Sequence, residues 1–194
     1  RQQLDDGSKY VSGGLGDDVF SAGDDFLTGG EGSDTFLISL DRIVDINELG
    51  IVDNSKPYEE GRKEGIYGYD QNRDGTLDLA TELDHAWLNV IYDFTPGTDK
   101  IGLSTYGWTG TNIPPLRSDE VSYIQGTGDL SAHTLVVIKN SQTDDRGFTD
   151  GGVAAVLLNT DAASISKEND EIVVGAKYEN VLGNIGTAIG ATTT

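Results

Sequence analysis

The chain has 194 residues, with 33 acidic and 13 basic side chains and a formal net charge of -20. This excess of negative charge argues against nucleic acid or an anionic membrane as a partner. The absence of cysteine excludes disulfide bridges, thiolate metal sites and cysteine nucleophiles, so oxygen ligands are the expected source of cross-links.

The most informative stretch is residues 13–36, where a nine-residue motif occurs twice, its second copy ending at residue 37. Residues 13–21 and 29–37 both fit Gly-Gly-x-Gly-x-Asp-x-U-x, in which U is a large apolar residue. The glycines permit positive φ and bring backbone carbonyls close to a ligand, and the aspartate adds a charged oxygen. We therefore predict short strands whose apolar residues point inward, namely Phe20, Phe36 and, in a shortened middle copy, Leu27.

This pattern resembles the repeats of the repeats-in-toxin (RTX) family, which wind into a parallel β-roll with Ca²⁺ held between successive turns. The resemblance implies that residues 13–18 stack on residues 29–34 and form one well-made metal site from Gly14, Gly16, Asp18, Gly30, Gly32 and Asp34. It implies a poorer second site between Asp25 and residues 5–7. A flexible glycine-rich linker is disfavoured, because the apolar residues keep a fixed offset from the glycines.

The flanks of the repeats complete the predicted roll. Residues 4–12 fit the same frame, with Lys9 in place of the aspartate, and are interpreted as an opening cap. Residues 35–40 are rich in β-formers and should extend the last strand of the roll. Because the chain begins with Arg1 and has no methionine, we expect it to be a piece of a longer protein.

A second candidate cation site lies in an insertion over residues 41–89. Residues 70–78 read Asp-x-Asn-x-Asp-Gly-x-x-Asp, which resembles the first nine positions of an EF-hand calcium loop. The acid expected at position twelve is displaced by one residue, and no clear helix precedes the loop. A single calcium loop is implied, with the ligands Asp70, Asn72, Asp74, Thr76, Asp78 and Glu82. The alternative is a polar turn that binds nothing.

Residues 90–104 alternate, turn at Pro96-Gly97 and alternate again, which predicts a β-hairpin. They also resemble the Ile-x-Asp-Phe-x-x-Gly-x-Asp-Lys-Ile segment that follows the repeats in serralysin-type RTX proteins. In those proteins acids of this segment help to close the last calcium site. The resemblance implies that role for Asp93 and Asp99, and the alternative is that both acids only fix the turn.

Further strands are predicted over residues 121–124, 134–139, 153–159 and 172–174. The predicted fold is mainly β, a short parallel β-roll of calcium-binding repeats packed on an antiparallel sheet or sandwich, with little helix. We divide the chain into a roll (4–40), the insertion with its calcium loop (41–89), a β-domain (90–175) and a flexible or secretion-signal tail (176–194).

No catalytic arrangement emerges, because nucleophile and base motifs are missing and the paired carboxylates occur only in calcium-like loops. We expect a non-enzymatic, calcium-binding domain of a secreted or cell-surface bacterial protein. It would fold on calcium binding after export and cap or stabilise a larger protein. The resemblance implies a type I secretion exporter as a partner. No apolar run reaches the ~20 residues that a membrane-spanning helix needs.

The alternative function is an extracellular adhesin module or a self-assembling surface or filament subunit, with a glycan, a peptide or a second copy as its partner. The long insertion and the Thr- and Gly-rich tail motivate it.

Overall fold

The computed structural model describes residues 10–22, 26–39, 44–45, 89–104, 117–139 and 151–174. The strands in these residues are β1 (Tyr10–Leu15), β2 (Val19–Ala22), β3 (Phe26–Glu31), β4 (Thr35–Ser39), β5 (Val44–Asp45), β6 (Asn89–Ile91), β7 (Lys100–Ser104), β8 (Val121–Gln125), β9 (Thr134–Ile138), β10 (Gly152–Leu157) and β11 (Glu171–Val174). Within the described ranges, helix is confined to single turns at Ser118–Glu120, Gly128–Leu130, Ala162–Ser164 and Lys167–Asp170. The protein is mainly β, as the sequence predicts.

Within the described residues the strands form two sheets. The larger sheet has the order β1-β3-β6-β10-β9-β8, with β5 beside β10, and the smaller has the order β11-β7-β4-β2. The chain crosses from the larger sheet to the smaller one in the same direction each time. We call each such pair of strands a coil: β1–β2, β3–β4, β6–β7 and β10–β11.

The first two coils stack in parallel, as the repeats predict. Tyr10 pairs with Phe26 in the larger sheet, and Val19 pairs with Thr35 in the smaller one. Paired residues therefore lie 16 positions apart in both sheets. The shortened middle repeat explains this spacing, since only residues 23–25 separate β2 from β3.

The predicted hairpin over residues 90–104 is wrong. β6 and β7 lie in different sheets, where β6 pairs in parallel with β3 and β7 pairs in parallel with β4. The turn at residues 96–98 is present, but it joins the two sheets and makes this segment a third coil. Alternation shows which face of a strand is buried and does not identify the strand's partner.

The last coil joins the parallel and antiparallel parts of the fold. β10 pairs in parallel with β6 on one side and antiparallel with β9 on the other, and β8 continues the antiparallel end. All residues of β9 and β10 are buried. Strands that are covered on both faces carry continuous apolar runs, which matches their Val- and Ala-rich sequences.

The main core lies between the two sheets and contains the predicted inward residues. Phe20, Leu27 and Phe36 are buried and pack with Ile91 and Ile101 from the third coil. The rings of Phe20 and Phe36 stack with centroids 5.1 Å apart. Burying each large apolar side chain contributes about 1.5–3 kcal/mol. This apolar stack holds successive coils in register and so aligns the loops that precede β2, β4 and β7.

Several predicted elements lie outside the described residues. These are residues 4–9 of the opening cap predicted over residues 4–12, the EF-hand-like loop over residues 70–82 and the tail over residues 176–194. Of the insertion, only the two-residue strand β5 and Asn89 at the start of β6 are described. No helix in the described part of the chain is long and apolar enough to cross a membrane.

Candidate metal centre

The two complete repeats form matching loops, residues 13–18 (loop A) and residues 29–34 (loop B). Gly14 and Gly30 have φ values of 100° and 102°, and Gly16 and Gly32 have values of 97° and 144°. L-residues rarely adopt these values, so glycine is required at each of the four positions. The pairing of Gly14 with Gly30 places the loops directly over one another, as predicted.

Buried aspartates link the loops of three coils. Asp34 and Asp99 are 1% and 4% exposed. Asp34 Oδ1 accepts a hydrogen bond from the Asp18 backbone N–H at 2.9 Å, and Asp99 Oδ1 accepts one from the Asp34 N–H at 3.0 Å. Each of these carboxylates therefore contacts the preceding coil through one oxygen.

The second oxygens of Asp18 and Asp34 are the unusual feature of the loops. Asp18 Oδ2 and Asp34 Oδ2 are both buried and have no hydrogen-bond partner. A Cβ added to Gly13 would lie 2.5 Å from Asp18 Oδ2 and 2.7 Å from the Gly29 carbonyl oxygen, so these two oxygens are neighbours. A buried carboxylate oxygen without a partner is costly, and a cation beside it would remove that cost.

The atoms around these oxygens fit a hard cation. Two carboxylates and nearby glycine carbonyls are the oxygen ligands that Ca²⁺ prefers. Within the residues that the structure describes, no three His, Cys, Asp or Glu side chains are grouped to hold a metal ion. Backbone carbonyls of loops A and B would therefore have to supply the remaining ligands. The glycines allow this, because a side chain at Gly30 would meet the Gly14 carbonyl oxygen.

Burial and neighbouring charges disfavour the ionised form of the aspartates that link the coils. Burial raises the pKa of Asp34 above its ordinary value of 3.8, and the charges of Asp18, Asp93 and Asp17 act in the same direction. Burial also raises the pKa of Asp99, although N–H donors from Asp34 and Thr95 oppose the shift. Without a cation, the loops therefore store electrostatic repulsion.

These shifts predict that the calcium-free protein becomes more stable as the pH falls from neutral toward the ordinary aspartate value of 3.8. Asp34 and Asp99 have raised pKa values in the folded state, so that state binds more protons than the unfolded chain above pH 3.8. The free energy of unfolding therefore decreases as the pH rises through the raised pKa values. Urea denaturation in excess chelator measures this trend.

The high net charge contributes a trend of the same sign, so Asp34→Asn serves as the matched variant for the pH experiment. Its urea midpoint should change less over this pH range than that of the wild type. A wild-type midpoint that falls on acidification would contradict the prediction.

Asp99 and Asp170 each accept a hydrogen bond from the backbone N–H of the residue four positions earlier. Asp99 Oδ2 accepts from the Thr95 N–H at 2.8 Å, and Asp170 Oδ2 accepts from the Ser166 N–H at 2.8 Å. Asp170 Oδ1 also accepts from the Gly97 N–H at 2.8 Å, which ties the fourth coil to the third. Asp170 is not among the site residues predicted from the sequence. The pattern that could have identified it is a Ser or Thr four residues before an Asp that directly precedes a β-rich run.

Asp93 contacts loop B from the third coil. Its Oδ1 accepts from the Gly29 N–H at 2.8 Å, and its Oδ2 accepts from the Gly30 N–H at 2.9 Å. The structure thus brings Asp93 and Asp99 to the stacked loops with Asp18 and Asp34. The other predicted ligands lie outside the described residues, namely Asp25, Asp70, Asn72, Asp74, Thr76, Asp78 and Glu82.

Comparison with known proteins gives structural neighbours of low similarity. No protein-family model and no curated protein sequence matches the chain. The solution structure of the AlgE6R3 subunit from the Azotobacter vinelandii mannuronan C5-epimerase is 18% identical, with a TM-score of 0.37 over 87% of this chain and 79% of that chain. The AlgE6R2 subunit of the same enzyme is 21% identical, with a TM-score of 0.38 over 85% of this chain and 86% of that chain.

Proposed function

We propose that this chain is a calcium-binding module that folds on calcium binding outside the cell. The observation that carries the proposal is the pair of buried, unpartnered oxygens, Asp18 Oδ2 and Asp34 Oδ2, beside the glycine carbonyls of loops A and B. Calcium bound there would coordinate both unpartnered oxygens and neutralise the two carboxylates. We further propose that the module has no catalytic activity of its own and stabilises a larger secreted protein.

The coupling to folding follows from the position of the site. Asp18 and Asp34 belong to different coils, and their oxygens come together only when β2 pairs with β4. In the unfolded chain no such site exists, so the binding free energy stabilises only the folded state. The net charge of -20 opposes compaction when calcium is absent. Low calcium in the cytoplasm would keep the chain open for a type I exporter.

Circular dichroism in excess chelator and in millimolar calcium tests this proposal. We expect the β-signal and the melting temperature to rise with calcium, because ligand binding at 100 times Kd adds about 2.7 kcal/mol of stability. Magnesium at the same concentration should have a smaller effect, since it demands a tighter octahedral site. Identical spectra and identical melting temperatures in chelator and in calcium would exclude calcium-coupled folding.

The adhesin or assembly function rests mainly on the insertion and the tail. Apart from β5 and Asn89, these segments lie outside the described residues. No contact within the described coils favours it over the calcium-binding function.

A further inference from the structure

The loop B glycines lie between two different sets of oxygens. On one side, the N–H groups of Gly29 and Gly30 both donate to the carboxylate of Asp93. On the other side, the Gly29 carbonyl oxygen neighbours Asp18 Oδ2, and a Cβ on Gly29 would meet Asp34 Oδ2. The Gly29–Gly30 peptide unit therefore lies between the two sets: its N–H donates to Asp93, and its carbonyl oxygen lies beside Asp18 Oδ2.

The contact between Asp93 and loop B is specific in its chemistry. Two successive backbone N–H groups that converge on one point form a small anion-binding concavity, and a carboxylate matches it with one oxygen for each donor. Asp93 lies 64 and 63 residues from Gly29 and Gly30. The contact forms only when β6 has paired with β3.

The same geometry argues against Asp93 as a direct cation ligand. Both of its oxygens face N–H groups, whose positive ends would repel a cation placed between them and the carboxylate. The oxygens without partners belong to Asp18 and Asp34, on the other side of the glycines. Asp93 therefore acts on the Gly29–Gly30 peptide unit, whose N–H donates to Asp93 and whose carbonyl oxygen lies beside the candidate site.

We propose that Asp93 is a positioning residue that sets the affinity of the loop A and loop B site by holding the Gly29–Gly30 peptide in its binding orientation. This inference rests on the proposed calcium function. Docking of the third coil then strengthens calcium binding, and calcium binding strengthens docking by the same factor. The calcium affinity of the site is thereby controlled by the third coil, which follows the insertion in sequence.

Calcium titration calorimetry on the full chain tests this role, with Asp93→Asn as the test variant. Asparagine turns its amide NH₂ toward one of the two glycine donors, so one hydrogen bond and the charge are lost. We expect calcium affinity to fall about 10-fold, the lower end of what is measured for residues that orient metal ligands. The matched control is Asp161→Asn, which also removes one carboxylate that accepts a backbone N–H, from Ala163 at 2.9 Å.

Amide-proton shifts provide a readout that a general loss of stability would not move. In saturating calcium, the Gly29 and Gly30 amide protons of the wild type should resonate downfield, because they donate to a charged acceptor. Both should shift upfield in Asp93→Asn and stay unchanged in Asp161→Asn. Saturating calcium keeps the variant folded while these shifts are measured.

The outcomes separate the inference from the function on which it rests. Wild-type affinity in Asp93→Asn, or unchanged glycine shifts, would overturn the positioning role while leaving calcium binding intact. An equal loss of affinity in Asp161→Asn would also overturn it, because the effect would then follow from net charge. A wild type that binds no calcium would overturn the proposed function and the coupling together.

Discussion

Replacing Asp34 by asparagine should abolish most of the stabilisation by calcium while leaving the calcium-free protein as stable as the wild type or more stable. Asp34 is 1% exposed, and its Oδ2 has no partner. Its neutral amide would remove both the cost of burying the charge and the repulsion from Asp18, Asp93 and Asp17. It would also remove one of the two charged ligands, which should lower calcium affinity about 100-fold, or about 2.7 kcal/mol.

Asp17→Asn is the matched control for this prediction. Asp17 lies in the same stack of loops and accepts the Ser33 N–H at 2.8 Å, but it is exposed and has no orphaned buried oxygen. We expect its calcium affinity to stay within about threefold of the wild type, because a screened surface charge contributes little. Melting curves with chelator and with calcium measure both effects. Equal calcium affinity in the wild type and in Asp34→Asn would rule out the site between loops A and B.

Replacing Gly30 by alanine should strongly destabilise the stacked loops. A Cβ at Gly30 would collide with the Gly14 carbonyl oxygen, and Gly30 also has a φ of 102°. The backbone strain costs about 1–2 kcal/mol, and forcing an atom into a filled space costs roughly another 1–3 kcal/mol. We expect a total loss of about 2–5 kcal/mol in the free energy of unfolding.

Gly14→Ala separates these two contributions. Gly14 has a φ of 100°, almost the same as that of Gly30, but no atom lies within 4 Å of the position that its Cβ would take. It should therefore show the strain alone, about 1–2 kcal/mol. Denaturant unfolding in saturating calcium compares the two variants. If both lost the same free energy, loops A and B would not be in contact as the structure has them.

The local pattern of the repeats was sufficient to predict the contents of the first two coils. The glycines of the repeat permit positive φ, and Gly14, Gly16, Gly30 and Gly32 all adopt it. The apolar residue two places after each repeat aspartate must be buried, and Phe20 and Phe36 are. Strands β8, β9, β10 and β11 were likewise predicted within two residues at each end. These features depend on residues close in sequence.

The partners of the later strands could not be predicted from local pattern. Residues 90–104 carry the alternation and the Pro-Gly turn of a hairpin, yet β6 and β7 pair with β3 and β4 of the second coil. The roles of the acids depended on the same pairing. Asp93 contacts the Gly29 and Gly30 N–H groups, and Asp170 reaches Gly97 although no repeat motif surrounds it.

The sequence alone therefore predicts the repeat, its turn conformation, its inward apolar residues and its excess of acidic side chains. The reason is that φ preference, side-chain polarity and strand alternation are properties of neighbouring residues. Pairing between distant strands, in contrast, determines that Asp93 accepts the Gly29 and Gly30 N–H groups and that Asp18 Oδ2 lies beside the Gly29 carbonyl oxygen. Stacking of the coils brings residues as many as 73 positions apart into hydrogen-bond contact, as Gly97 and Asp170 show.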